Sequence, residues 1–267
     1  MAAMVLPTDE GRCMSTTVGT QVGRFVWHEH GSSDREAAKS FYTQLLGWSI
    51  EVWKPGEMDY PMISANGQTH GGINAIDPAQ GIPAHWLGHV LVESVDETVA
   101  RAERGGGRVL MGPIDMPEVG RFAIIADPQG AVLSAYQPAG EGPVGEGTFV
   151  WDELLTTDVE GAKRFYGEVF GWTAADMAMS GGGTYTMFKR AGGTDAAGLM
   201  RKPEEQPGPS AWLTYLGTSD VDATVAKAGE LGGTTLMAAR DIPNVGRFAV
   251  LADPTGAVFA LFKPLAA

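Results

Sequence analysis

The chain has 267 residues, 44% of them hydrophobic and 19% charged, with a formal net charge of −13 and one cysteine, Cys13. The negative charge repels phosphate backbones and anionic lipid, no local Lys/Arg cluster offsets it, and no apolar run reaches the ~18 to 20 residues of a membrane span. Nucleic acid and membrane are therefore excluded as partners, and the single thiol excludes an intrachain disulfide and a cysteine-built zinc cluster.

In chain order, residues 1–20 are expected to be a flexible tail. They lack the basic and apolar regions of a secretory signal, and a cytoplasmic location is the expectation. "RFVWHEH", residues 24–30, predicts a strand. Asp34 then caps a helix whose apolar face is Ala37, Ala38, Phe41, Tyr42 and Leu45, with Gly47 as its stop. Short strands are expected at "SIEVW", "YPMISA" and "GGINAI". The pattern restarts with the strand "HWLGHVLVE", a helix from Val95 to about Glu103 and a Gly105 to Gly107 stop. The strands "RVLM", "RFAIIA" and "AVLSAY" follow, the last two joined by "DPQG", where Pro and a late Gly suit a tight turn.

The chain then repeats itself. Residues 25–48 match 149–172 at 12 of 24 positions, and residues 84–138 match 210–264 at 26 of 55. Repeats of this size are domains rather than solenoid units. The expected organisation is a domain over 21–138, a Gly/Pro-rich linker over 139–147 and a second domain over 148–267. Each domain reads as two βαβββ units, four in the chain.

The motifs "AAKSFYTQLLGW" with "DPQGAVLSAY", and "GAKRFYGEVFGW" with "DPTGAVFALF", resemble the vicinal oxygen chelate superfamily of glyoxalases, bleomycin-resistance proteins and extradiol dioxygenases. The resemblance implies an α+β fold of tandem glyoxalase-like domains, whose four βαβββ units form cupped mixed sheets with helices outside. In metal-dependent members the cup holds a divalent cation on His and Glu side chains. Transferred to this sequence, those positions fall on Trp27, Leu87 and Ser134, on Trp151, Leu213 and Ala260, and near Gly72 to Asn74 and Gly198 to Met200. None restores the usual site, and no metal or other cofactor is expected there.

Strand alternation places Trp27 and Glu29 toward the cup and His28 and His30 away from it. His30 corresponds to Leu154 and reads as a helix-packed histidine; His28 corresponds to Asp152 and reads as solvated. His89 and Tyr136 also face the cup, each two residues beyond a transferred ligand position. Glu29, His89 and Tyr136 are therefore expected to form one layer, with Glu153, Tyr215 and Phe262 as its second-repeat counterpart. Two functions follow. The first is binding of a small, planar molecule by Trp27, Tyr136, Trp151, Glu153 and Tyr215, with Arg121 and Arg247 as anion contacts or salt-bridge partners. The alternative is a lyase, isomerase or dioxygenase with Glu29 and His89 as catalytic acid and base, or as ligands of a displaced divalent metal. A fused pair supplies both halves of a glyoxalase-like dimer, so a monomer is the expected working unit.

Overall fold

The computed structural model describes residues 21–54, 59–140, 147–179 and 182–265. The expected tail, with Cys13, and residues 141–146 of the expected linker lie outside the described residues. The first repeat runs β1 (Phe25–Ser32), α1 (Arg35–Leu46), β2 (Ser49–Trp53), β3 (Tyr60–Ala65), β4 (Gln68–Ala75), β5 (His85–Leu91), α2 (Val95–Arg104), β6 (Arg108–Met116), β7 (Gly120–Ala126) and β8 (Val132–Pro138). The second runs β9 (Phe149–Thr156), α3 (Val159–Phe170), β10 (Thr173–Ala178), β11 (Thr184–Lys189), β12 (Asp195–Arg201), β13 (Ala211–Gly217), α4 (Val221–Glu230), β14 (Thr234–Ile242), β15 (Gly246–Ala252) and β16 (Val258–Pro264).

Local chemistry sets these boundaries. The Asp34 carboxylate accepts the Ala37 N–H at 2.9 Å, and Gly47, at φ 71°, turns the chain out of α1 in the left-handed region that favours glycine. Asp158 and Gly171 do the same for α3. In "DPQG" the Asp127 side chain accepts the N–H groups of Gln129 and Ala131, and Asp253 repeats this with Thr255 and Ala257.

Each repeat builds its own eight-stranded mixed sheet, in the orders β2-β3-β4-β1-β5-β8-β7-β6 and β10-β11-β12-β9-β13-β16-β15-β14. Each cup therefore closes within one repeat. The cores are shared. Phe41, Tyr42 and Leu45 of α1 pack with Leu216, Leu251, Phe259 and Leu261 of the second repeat. Phe165, Tyr166 and Val169 of α3 pack with Val90, Ile125 and Leu133 of the first. Two buried polar latches cross the same boundary. The Tyr42 hydroxyl donates to Asp253 at 3.0 Å and accepts from Trp86 Nε1 at 2.9 Å, while Tyr166 bonds Asp127 and Trp212 at 3.0 and 3.1 Å.

The histidines of the opening strand belong to this boundary. His30 is fully buried and bonds Asp253 through Nε2 at 2.7 Å, edge-on to the rings of Tyr42 and Trp86. His28 departs from expectation: it is buried, its Nε2 lies 3.0 Å from both Asp152 oxygens, and its ring stacks on Phe149 at 4.0 Å. The solvated reading fails because its partner is the equivalent residue of the other repeat. A buried pair of this kind is costly to break from either side.

Candidate ligand-binding site

Register decides which cup-facing residues meet. β1 and β5 are antiparallel, with Trp27 opposite His89 and Glu29 opposite Leu87; β5 and β8 are parallel, with His89 beside Ser134 and Leu91 beside Tyr136. Stepping two residues along β1 and two along β5 therefore moves in opposite directions. The expected single layer is corrected: His89 shares a row with Trp27 and Ser134, Glu29 stands in the next row, and Tyr136 lies on the far side. The Tyr136 hydroxyl donates to the Val119 carbonyl at 2.8 Å.

The partner of Glu29 is Tyr60, which the sequence reading placed on a strand without assigning it a role. Trp27 Nε1 donates to the Tyr60 hydroxyl at 3.2 Å, and that hydroxyl donates to Glu29 Oε2 at 2.8 Å. Asn74 Nδ2 approaches Glu29 Oε1 at 3.4 Å. The second repeat copies the chain of bonds: Trp151 donates to Tyr185 at 2.9 Å, and Tyr185 hydrogen-bonds Glu153. Gly72 and Gly198 make the arrangement possible, since a Cβ at either position would collide with the tyrosine hydroxyl. The available signal was the pairing of "YPMI" and "YTMF" with a glycine in the neighbouring strand of each repeat. Burial raises the proton affinity of Glu29 and Glu153, and their hydrogen bonds act in the opposite direction.

These residues do not fit the metal of the metal-dependent fold relatives. Trp27 and Leu87 offer no ligand atom, and the space above Gly72 holds a phenol that is already hydrogen-bonded. Among the described residues no three His, Cys, Asp or Glu side chains are placed to hold a metal ion.

His89 is the unsatisfied group of the first cup. It is 8% exposed, its Nε2 is buried with no hydrogen-bond partner, and the rings of Phe122 and Tyr136 stand edge-on at 6.5 Å. Burial pushes its pKa down to about 3, so the imidazole is neutral at physiological pH. The equivalent Tyr215 is longer. Its hydroxyl crosses to the next row and donates to Glu153 at 3.1 Å.

The second cup is filled by its own side chains. Leu213, Tyr215, Phe248, Val250, Ala260 and Phe262 form a buried cluster against Trp151 and Met237, and the Arg240 guanidinium lies over the Phe248 ring at 5.0 Å. Of the residues expected at a second ligand site, Glu153 and Tyr215 are buried in this packing and Trp151 is half-buried. The first-repeat counterparts Phe122, Ile124 and Tyr136 remain half-buried, and Ile114 stands where Arg240 does.

For Arg121 and Arg247 the structure shows the salt-bridge alternative. They project from the opposite sheet face, where Arg121 bonds Asp96 and Asp115 at 2.7 to 3.2 Å and Arg247 bonds Asp222 and Asp241 at 2.7 to 3.0 Å. His85, half-buried at the start of β5, donates from Nδ1 to the Pro83 carbonyl at 2.8 Å.

Paired eight-stranded cups of βαβββ units define a class of protein, and the sequence agrees with that definition. Residues 29–134 and 148–261 match the model of the Glyoxalase/Bleomycin resistance protein/Dioxygenase superfamily, and the chain belongs to that family. It is 38% identical over 247 residues to "Putative glyoxylase CFP32" of Mycobacterium bovis, covering 89% of this chain and 94% of the relative. It is 32% identical over 259 residues to the anthracycline biosynthesis protein DnrV of Streptomyces peucetius, covering 90% and 93%. Among solved structures, the Mn(II)-bound glyoxalase of Novosphingobium aromaticivorans shares the fold at a TM-score of 0.61 and 18% identity, covering 92% of this chain and 83% of that one. The 2,3-dioxygenase LapB of Pseudomonas sp. KL28 does so at 0.60 and 14%, covering 91% and 92%.

Proposed function

We propose that this protein binds a small, planar organic molecule in the cup of its first repeat, without the metal used by metal-dependent members of the superfamily. The observation that carries the reading is His89 Nε2, a buried polar atom with no partner, on the cup floor between Trp27 and Ser134. Leaving such an atom unpaired costs about 1 to 3 kcal/mol, a cost that a ligand hydrogen bond would offset. Half-buried aromatic side chains around it supply flat apolar surface. The naming of one relative for anthracycline biosynthesis, a class of planar polycyclic molecules, supports the same ligand shape. The containment of each sheet within one repeat supports a monomer as the working unit.

The test is a fluorescence titration with dihydroxyanthraquinone. Saturable tryptophan quenching is expected, weakened about tenfold or more in His89→Leu, which corresponds to about 1.4 kcal/mol. Absence of saturable quenching, or equal affinity in the variant, would contradict the reading.

A second reading, acid–base catalysis by Glu29, is supported by the raised proton affinity of a carboxylate that faces the cup. The register separates Glu29 from His89, so the two act on one substrate only if it spans both rows. Turnover lost in Glu29→Gln with ligand affinity retained would establish this reading; unchanged turnover would remove it.

A further inference from the structure

The charges around the first cup narrow the ligand class. We infer that the preferred ligand of this cup is an aromatic cation, its ring on the Trp27 side and its positive group at the Glu29 carboxylate beside Tyr60. This rests on the cup being the binding site and adds the sign of the ligand's charge.

Glu29 is half-buried, and one of its oxygens faces the exposed Asn74. Tyr60 is bonded to the other oxygen and Trp27 to Tyr60, so aromatic rings flank the carboxylate. A carboxylate bordered by aromatic rings attracts an organic cation by charge and through the ring faces. Among the described residues the side-chain partners of Glu29 are Tyr60 and Asn74, neither of them a cation, and Arg35 is spent on the Asp59 carbonyl at 2.9 Å. β1, β2, β3, β4, β5 and β8 contain no lysine or arginine at all. Arg121 of β7 points to the other face and is tied to Asp96 and Asp115. Arg108 of β6 sits opposite Ala126, at the start of the outermost strand. Lys54, beside the end of β2, is paired with Asp59 at 3.0 Å. The neutral His89 adds no opposing charge. An anionic ligand would meet Glu29 with no basic partner, a pairing that costs free energy in a half-buried site. The filled second cup, by contrast, carries Arg240 over its aromatic wall.

The experiment uses three probes of similar shape: naphthylmethylamine, protonated at neutral pH, naphthylmethanol and naphthoate. Their affinities for the full-length protein are read by tryptophan quenching and calorimetry. The amine is expected to bind about tenfold tighter than the alcohol, with naphthoate weakest. Glu29→Gln should erase the advantage of the amine over the alcohol, and Asn74→Asp, which adds a second carboxylate at the exposed side, should enlarge it. Equal or tighter binding of the alcohol or naphthoate, or an amine preference that survives Glu29→Gln, would overturn the inference. If that binding is still weakened by His89→Leu, the cup remains the binding site and only the charge assignment falls. Failure of all three probes to bind would count against both.

Discussion

The two cups are cut from one pattern, and a few side chains separate a half-buried wall in the first from a packed one in the second. Both hold a Trp–Tyr–Glu chain of hydrogen bonds over a glycine. At the next position the first repeat has His89 and the second Tyr215. The phenol reaches the glutamate one row away and closes its site, whereas the imidazole ends with Nε2 unpaired. Ser134 against Ala260, Tyr136 against Phe262 and Ile114 against Arg240 extend the difference. The two repeats share one scaffold, and the packing of the cup is where they differ.

Urea unfolding gives the largest expected contrast. Phe248→Ala should cost about 3 to 5 kcal/mol, the usual loss for a buried phenylalanine, while Phe122→Ala, from the half-buried wall of the open cup, should cost less than half of that. Equal losses would mean that both cups are core.

Acid should distinguish the cups next. His89 takes its proton only near pH 3 when folded, but near its ordinary 6.5 when unfolded. The unfolded state therefore binds more protons between those values, and stability contributed at neutral pH is lost as pH falls through that window. At about pH 5 the loss is roughly 2 kcal/mol. His89→Phe should remove that portion of the acid sensitivity; a pH profile parallel to the wild type would contradict the buried neutral histidine.

Glu153 should give a smaller effect of opposite sign. Burial raises its folded pKa, so the folded state holds the proton more tightly and stability falls as pH rises from 4.5 through the raised value. Glu153→Gln should gain stability relative to the wild type across that rise. Glu29→Gln, at a half-buried position, should gain less. A pH-independent difference for both variants would remove the distinction.

Much of the fold was legible in the sequence because it rests on local signals and repetition. The capping aspartates, stop glycines and "DPxG" turns appear as read, and the aligned blocks set the pseudo-symmetry. The site was legible only in part. Alternation identified Trp27, Glu29 and His89 as facing the cup, but alternation gives a face and not a row; antiparallel pairing separated Glu29 from His89. Tyr60 remained unassigned because its effect depends on empty space above Gly72, on a different strand. His28 was misread because its partner, Asp152, is 124 residues away, whereas for Arg121 both alternatives stayed open because the hairpin before it concealed its parity, and the structure shows the salt bridge.

The most direct test of an open first cup and a closed second one is the stoichiometry of dihydroxyanthraquinone binding, measured by calorimetry in the wild type and in a variant whose first cup is rewritten as the second, His89→Tyr, Ser134→Ala and Tyr136→Phe. The account predicts one molecule per chain in the wild type and none in the variant, with the variant's thermal stability retained. Two molecules per chain, or undiminished binding in the folded variant, would contradict it.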